Sequence, residues 1–223
     1  MQANDVALLN FRAGGTITVE SPKLDSIQRF PSGTVAYRRP GDLYVVGRTR
    51  LNVIAFDLKC TGNEFLIRFP TVSDPEQRYY YRLGGEQFDS VPFSVSPDDI
   101  AREMFLPVAW NELRERDARV VAYDDAEGTA TLQLPAGHGM TRRLEVRGAP
   151  WVILESTLID QGGEIVARTI RKDYAEKDGV RFPAYVDTSF PGEDTRLTFE
   201  MRNIRINTEL PSSLFRIDWR PSR

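Results

Sequence analysis

Apolar and polar residues alternate with a period of two through most of this chain, and the clearest stretch runs from Gly33 to Pro70. There, four short apolar runs follow one another with only turn-length breaks. Breaks that short cannot house the crossover that parallel strands need, so the segment predicts an antiparallel meander. Ile54, Phe56 and Leu58 share one strand face, as do Phe65, Ile67 and Phe69. The predicted sheet therefore has an apolar face that must be covered.

The same reading extends in both directions. Thr16 to Glu20 alternates as a first strand. Before it, Val6 to Phe11 reads as a short amphipathic helix, capped by Asn4 or Asp5 and stopped by Gly14-Gly15. After the loop from Pro70 to Pro75, Arg78 to Arg82 reads as a strand closed by Gly84-Gly85. Ser96 to Phe105 carries the strongest helix signal, with Ser96 as N-cap, Pro97 at the first helical position and Asp99 at the third. Trp110 and Leu113 suggest a further helical turn. Ile100 and Met104 then lie on an apolar side able to cap the sheet.

From Arg119 onward strands return. Ala130, Leu132 and Leu134 alternate, Leu144 and Val146 follow, and Trp151 to Ile159 makes a hairpin with Ile165 to Arg171 through Asp160-Gln161-Gly162-Gly163. Val180 to Thr188 and Thr195 to Ile206 complete the set, the last with Leu197, Phe199 and Met201 predicted inward and Thr198, Glu200 and Arg202 outward. The pattern predicts about eleven to thirteen strands and two or three short helices. No composition shift marks a boundary, so residues 1–223 read as one domain.

Charge and candidate chemistry then narrow the function. With 29 basic and 32 acidic residues interspersed and a net charge of −3, the chain has no compositional footprint for nucleic acid. Cys60 is the single cysteine, which excludes an intramolecular disulfide and a thiolate zinc cluster and reads as a small half-buried strand residue beside a turn. His138 is the single histidine and sits in a turn, so His-cluster metal sites are excluded and one imidazole base is available at most. No G-x-S-x-G occurs. Acidic pairs such as Asp98-Asp99, Asp124-Asp125 and Glu193-Asp194 lie at turns or a helix start, where local reasons favour them. The glycine doublets lack a phosphate-loop lysine, so no cofactor is expected. No apolar run is long enough to cross a bilayer as a helix. The opening Met1-Gln2-Ala3-Asn4 looks as if an export signal precedes it in the native protein.

The order of elements carries a resemblance. A G-x-V-x-Y-R-R-P-x-x-L segment spans Gly33 to Leu43, and Ile54 to Leu58 turns at Thr61-Gly62-Asn63 into Phe65 to Pro70. Later come Asp173-Tyr174, then Gly179 to Pro183, then Ile204 to Asn207 before Leu214-Phe215. This resembles the LolA/LolB family of periplasmic lipoprotein carriers and outer-membrane lipoprotein receptors. The resemblance implies a mainly β fold, a single curved antiparallel sheet forming an incomplete half-barrel of about 11 strands, with short helices as a lid. It implies a non-enzymatic role, with lipid or lipoprotein acyl chains as partners and the outer-membrane surface as a further contact. It also implies a monomer, periplasmic or anchored at the outer membrane, although no lipobox cysteine stands in this sequence.

Residues placed to line such a cavity are Val35, Tyr37, Ile54, Phe56, Leu58, Phe65, Ile67, Ile100, Met104, Leu132, Leu197 and Phe199, with ordinary core packing as the alternative for each. In the receptor branch an exposed leucine follows an early strand of the meander. Gly47 to Asn52 occupies that place here, making Leu51 the candidate for membrane or lipid transfer, with an incidental turn leucine as the alternative. An envelope scaffold with a filled core, and a hydrolase using His138, are the competing functions.

Overall fold

The computed structural model describes residues 7–22, 27–39, 41–62, 64–74, 78–83, 117–136, 139–148 and 151–218. The predicted helices at 96–105 and 108–113, the candidates Ile100 and Met104, and His138 lie outside the described residues. Among those residues, thirteen strands form one antiparallel sheet. They are β1 (Asn10–Glu20), β2 (Gln28–Arg38), β3 (Asp42–Arg48), β4 (Ile54–Thr61), β5 (Glu64–Arg68), β6 (Tyr79–Leu83) and β7 (Arg119–Asp124). The rest are β8 (Thr129–Ala136), β9 (Met140–Arg147), β10 (Val152–Ile159), β11 (Ile165–Lys177), β12 (Val180–Phe190) and β13 (Thr195–Ile206).

Their order is β6-β5-β4-β3-β2-β1-β13-β12-β11-β10-β9-β8-β7. Every neighbour is a sequence neighbour except β1 and β13, which join two meanders into one open sheet with β6 and β7 at its edges. The sheet has thirteen strands where the resemblance implies about 11.

The predicted end of the N-terminal helix is overturned: Ala7 is helical, but Asn10 and Phe11 already belong to a strand. β1 begins at Asn10 and runs straight through Gly14-Gly15, which act as strand glycines and not as a helix stop. Pairing shifts register on both sides of this doublet, between Arg12 and Gly14 against β13 and between Gly15 and Ile17 against β2. A Cβ on Gly15 would sit 2.0 Å from the Glu200 carbonyl oxygen, so backbone approach at a bulge explains the glycine. Helical structure beyond a single helical residue at Ala7 is limited, among the described residues, to 3-10 turns at Pro191–Glu193 and Ser212–Leu214. A helical lid is therefore no part of the described fold.

The two faces of the sheet are built differently. The inner face is apolar across β1–β5 and β10–β13, a single cluster that includes Phe11, Val35, Leu58, Ile67, Phe182, Val186 and Phe199. The outer face of β2–β4 is covered by the chain after β13, where Leu210 and Phe215 pack on Ala36 beside Tyr44 and Leu214. The Arg38 guanidinium lies 4.7 Å from the Phe215 ring centroid, and Lys59 Nζ donates to the Arg216 carbonyl at 2.8 Å. Elsewhere the outer face carries cross-strand ion pairs: Arg68 with Asp57, Arg168 with Glu155, and Arg196 with Asp187. The last is bidentate, at 2.8 and 2.5 Å, and holds the Arg196 guanidinium firmly charged.

Candidate functional site

Register assembles most of the predicted cavity residues into rows. Val35 pairs Val45, Val45 pairs Leu58, Leu58 pairs Ile67 and Ile67 pairs Tyr80, so one apolar row crosses β2 to β6. The next row runs Phe11, Tyr37, Leu43, Cys60 and Phe65. Leu197 and Phe199 continue the face on β13 opposite Val19 and Ile17. Because neighbouring strands lie about 4.8 Å apart, each row presents side chains at a spacing that lets them touch.

Phe56 extends the face furthest. It pairs with Gly47, and a Cβ there would fall 2.2 Å from the Phe56 ring, so the glycine makes room for the ring to lie across β3. That brings Phe56 within 5.0 Å of Phe30, two strands away on β2, in an edge-on contact. Phe69 and Tyr80 prolong the line at 6.5 and 6.0 Å. A second aromatic group joins Phe11 to Tyr37 at 5.9 Å and to Phe182 at 4.5 Å, β12 being two strands from β1. Phe11, Phe30 and Phe182 are members that the sequence reading leaves out of the site. Their alternation is hidden by the bulge in β1, by Pro31 and by Pro183.

Burial on this face is deep, with Phe11 at 0% exposure, Ile67 at 1% and Phe56 at 8%. Ile54 is only half-buried, at the register shift between Gly47 and Arg48. Leu132 stands apart: it pairs with Leu144 and packs in a separate cluster with Ala130, Leu134 and Val146 near the far edge. Cys60 is buried against Leu43 and not half-buried as its place beside a turn suggests. Burial also keeps phenols protonated, raising Tyr80 on this face and Tyr44 on the other, where Asp57 adds to the effect.

Leu51 is placed by a tight turn between β3 and β4. Thr49 N donates to the Val53 carbonyl at 2.9 Å, Asn52 N to the Thr49 carbonyl at 3.0 Å, and Asn52 takes the left-handed φ of 62°. Leu51 is left 87% exposed and Val53 49% exposed. Among the described residues no group of three or more His, Cys, Asp or Glu is placed to hold a metal ion. No helix among them is long and apolar enough to cross a membrane.

No protein-family model and no curated protein matches the sequence. Solved structures do match its fold over nearly the whole chain. A DUF1329 family protein from Desulfovibrio piger superposes with a TM-score of 0.65 at 13% identity, covering 94% of this chain and 90% of its own. A domain assigned to outer membrane lipoprotein sorting from Vibrio parahaemolyticus gives 0.64 at 9% identity, with 96% and 92% covered. A LolA superfamily protein from Nitrosomonas europaea gives 0.62 at 11% identity, with 97% and 95% covered. This chain, an open antiparallel sheet, thus shares its fold with a LolA superfamily protein, a DUF1329 family protein and a lipoprotein-sorting domain.

Proposed function

We propose that this chain binds lipid or lipoprotein acyl chains on its inner face, without catalysis, in lipoprotein sorting or transfer within the bacterial cell envelope. The observation that carries this reading is the continuous apolar cluster from Phe65 and Ile67 through Phe56, Val35 and Tyr37 to Leu197 and Phe199. The lipoprotein-sorting assignment of a neighbour with the same fold supports it. Each methylene moved from water onto such a surface contributes about 0.8 kcal/mol, so ten methylenes contribute on the order of 8 kcal/mol before association costs. The sheet acts as an incomplete barrel around the chains, Leu51 meets the membrane surface, and the protein works as a monomer in the periplasm or at the outer membrane.

Deep burial of Phe11 and Ile67 favours a second reading, an envelope scaffold whose core is filled by its own side chains. One titration separates the two. Delipidated protein should bind a fluorescent fatty acid saturably, and Phe56→Arg, or Phe56→Ala if the arginine variant does not fold, should weaken that binding at least about tenfold. Leu51→Asp should keep the uptake and slow transfer to vesicles. Absence of saturable uptake by the wild-type protein defeats the acyl-chain reading in favour of the scaffold.

A further inference from the structure

The outer face holds a cavity of about 340 Å³ at the bulge where β1, β2 and β13 meet the β3–β4 turn. Arg48 and Arg202 line it, with Ser32, Thr34, Asn52 and Asn203 as further polar side chains and no carboxylate in its wall. Arg202 follows the inward-facing Met201, and Arg48 lies two residues on from Val46, whose neighbour Val45 faces inward. The cavity therefore opens on the side away from the apolar face.

Several cations elsewhere on that face are ion-paired. Arg38, Arg68, Arg168 and Arg196 each hold a carboxylate at 2.5 to 2.7 Å. Neither Arg48 nor Arg202 has a hydrogen bond or ion pair among the described residues, and the same holds for Arg12 and Arg205. Arg12 and Arg205 also stand directly opposite each other across β1 and β13. Like charges in opposed positions are unfavourable, and a chain of net charge −3 has acids available to neutralise them. Two arginines, Arg48 and Arg202, in the wall of a cavity that has no carboxylate mark a place for an anion supplied from outside.

We propose that this cavity binds the phosphate of a phospholipid headgroup, with Arg48 and Arg202 as the contacting cations and Arg12 and Arg205 adding to the field. Guanidinium forks match phosphate oxygens, and the hydroxyls of Ser32 and Thr34 with the amides of Asn52 and Asn203 supply neutral donors. The volume lies at the low end of small-molecule sites, which suits a headgroup. Asn52 commits the site to lipid: it lines the cavity while its neighbours Leu51 and Val53 project apolar side chains into solvent. A phosphate held there leaves those side chains at the level of the acyl chains.

The test is cosedimentation of the full chain with phosphatidylglycerol vesicles, alongside calorimetric titration with glycerol 3-phosphate and with inorganic phosphate. Wild-type protein should bind the vesicles, and Arg48→Gln/Arg202→Gln should bind them at least about tenfold less, with an unchanged melting temperature because neither side chain is in an ion pair. Arg119→Gln, an exposed change on the edge strand β7, should bind as wild type. An equal loss in Arg119→Gln reduces the effect to diffuse surface charge and overturns the site. Binding of inorganic phosphate without binding of vesicles overturns the assignment to lipid, and binding of neither overturns the proposal. Fatty-acid uptake should be untouched in the double variant, and Phe56→Arg should keep vesicle binding, so failure here is separable from failure of the acyl-chain reading.

Discussion

Phe215→Ala tests whether the segment after β13 is an integral layer of the fold. The Phe215 ring is 1% exposed, pressed on Ala36 between Leu210 and the Arg38 guanidinium. Truncating a ring so enclosed costs about 3–5 kcal/mol, from the lost transfer energy and the cavity left behind. In a domain of this size each kcal/mol moves the melting temperature by about 2–4 °C, so the variant should melt roughly 6–20 °C lower. Urea unfolding should show a lower midpoint with an unchanged slope. Phe215→Leu, which keeps much of the volume, should cost about half as much. Phe215 lies on the face opposite the apolar cluster, so fatty-acid binding by the folded variant should be unaltered. If Phe215→Ala unfolds at the wild-type midpoint, the terminal segment does not pack as described and the outer face needs another cover.

Two further perturbations probe separate elements. Gly15→Ala should destabilise by about 3 kcal/mol or more, since its Cβ meets the Glu200 carbonyl at 2.0 Å, while Gly14→Ala, with its nearest atom at 3.8 Å, should stay within about 1 kcal/mol; paired denaturant curves check both. Tyr174 donates to the Ile153 carbonyl at 2.5 Å, and burial pushes its pKa up to about 12 from 10.0. The unfolded state therefore loses this proton first as pH rises, so stability present below pH 10 should decline between about 10 and 12, by on the order of 3 kcal/mol, and Tyr174→Phe should remove that component of the pH dependence.

Much of the fold is legible in alternation because a half-buried antiparallel strand must place apolar residues at every second position. Leu197, Phe199 and Met201 are inward and Arg202 outward, as their spacing predicts, and Val35, Leu58 and Ile67 fall in one cross-strand row. Alternation misleads at Gly14-Gly15, where a doublet that usually ends a helix is instead demanded by the approach of β13. It also places Leu132 with the main face, because local spacing says which side a residue takes but not how far across the sheet its strand lies.

The amino-acid order alone thus determined the strands, the absence of a cysteine or histidine cluster, and the leucine-bearing turn, since each depends on residues close in sequence. Only tertiary structure decided the rest. The union of the two meanders rests on β1 meeting β13 from the opposite end of the chain, and no local signal encodes that pairing. The reach of Phe56 across Gly47 to Phe30, and the meeting of Arg48 and Arg202 in one cavity, likewise exist only once strands distant in sequence lie side by side. Burial and charge balance are properties of neighbours in space, and register supplies those neighbours.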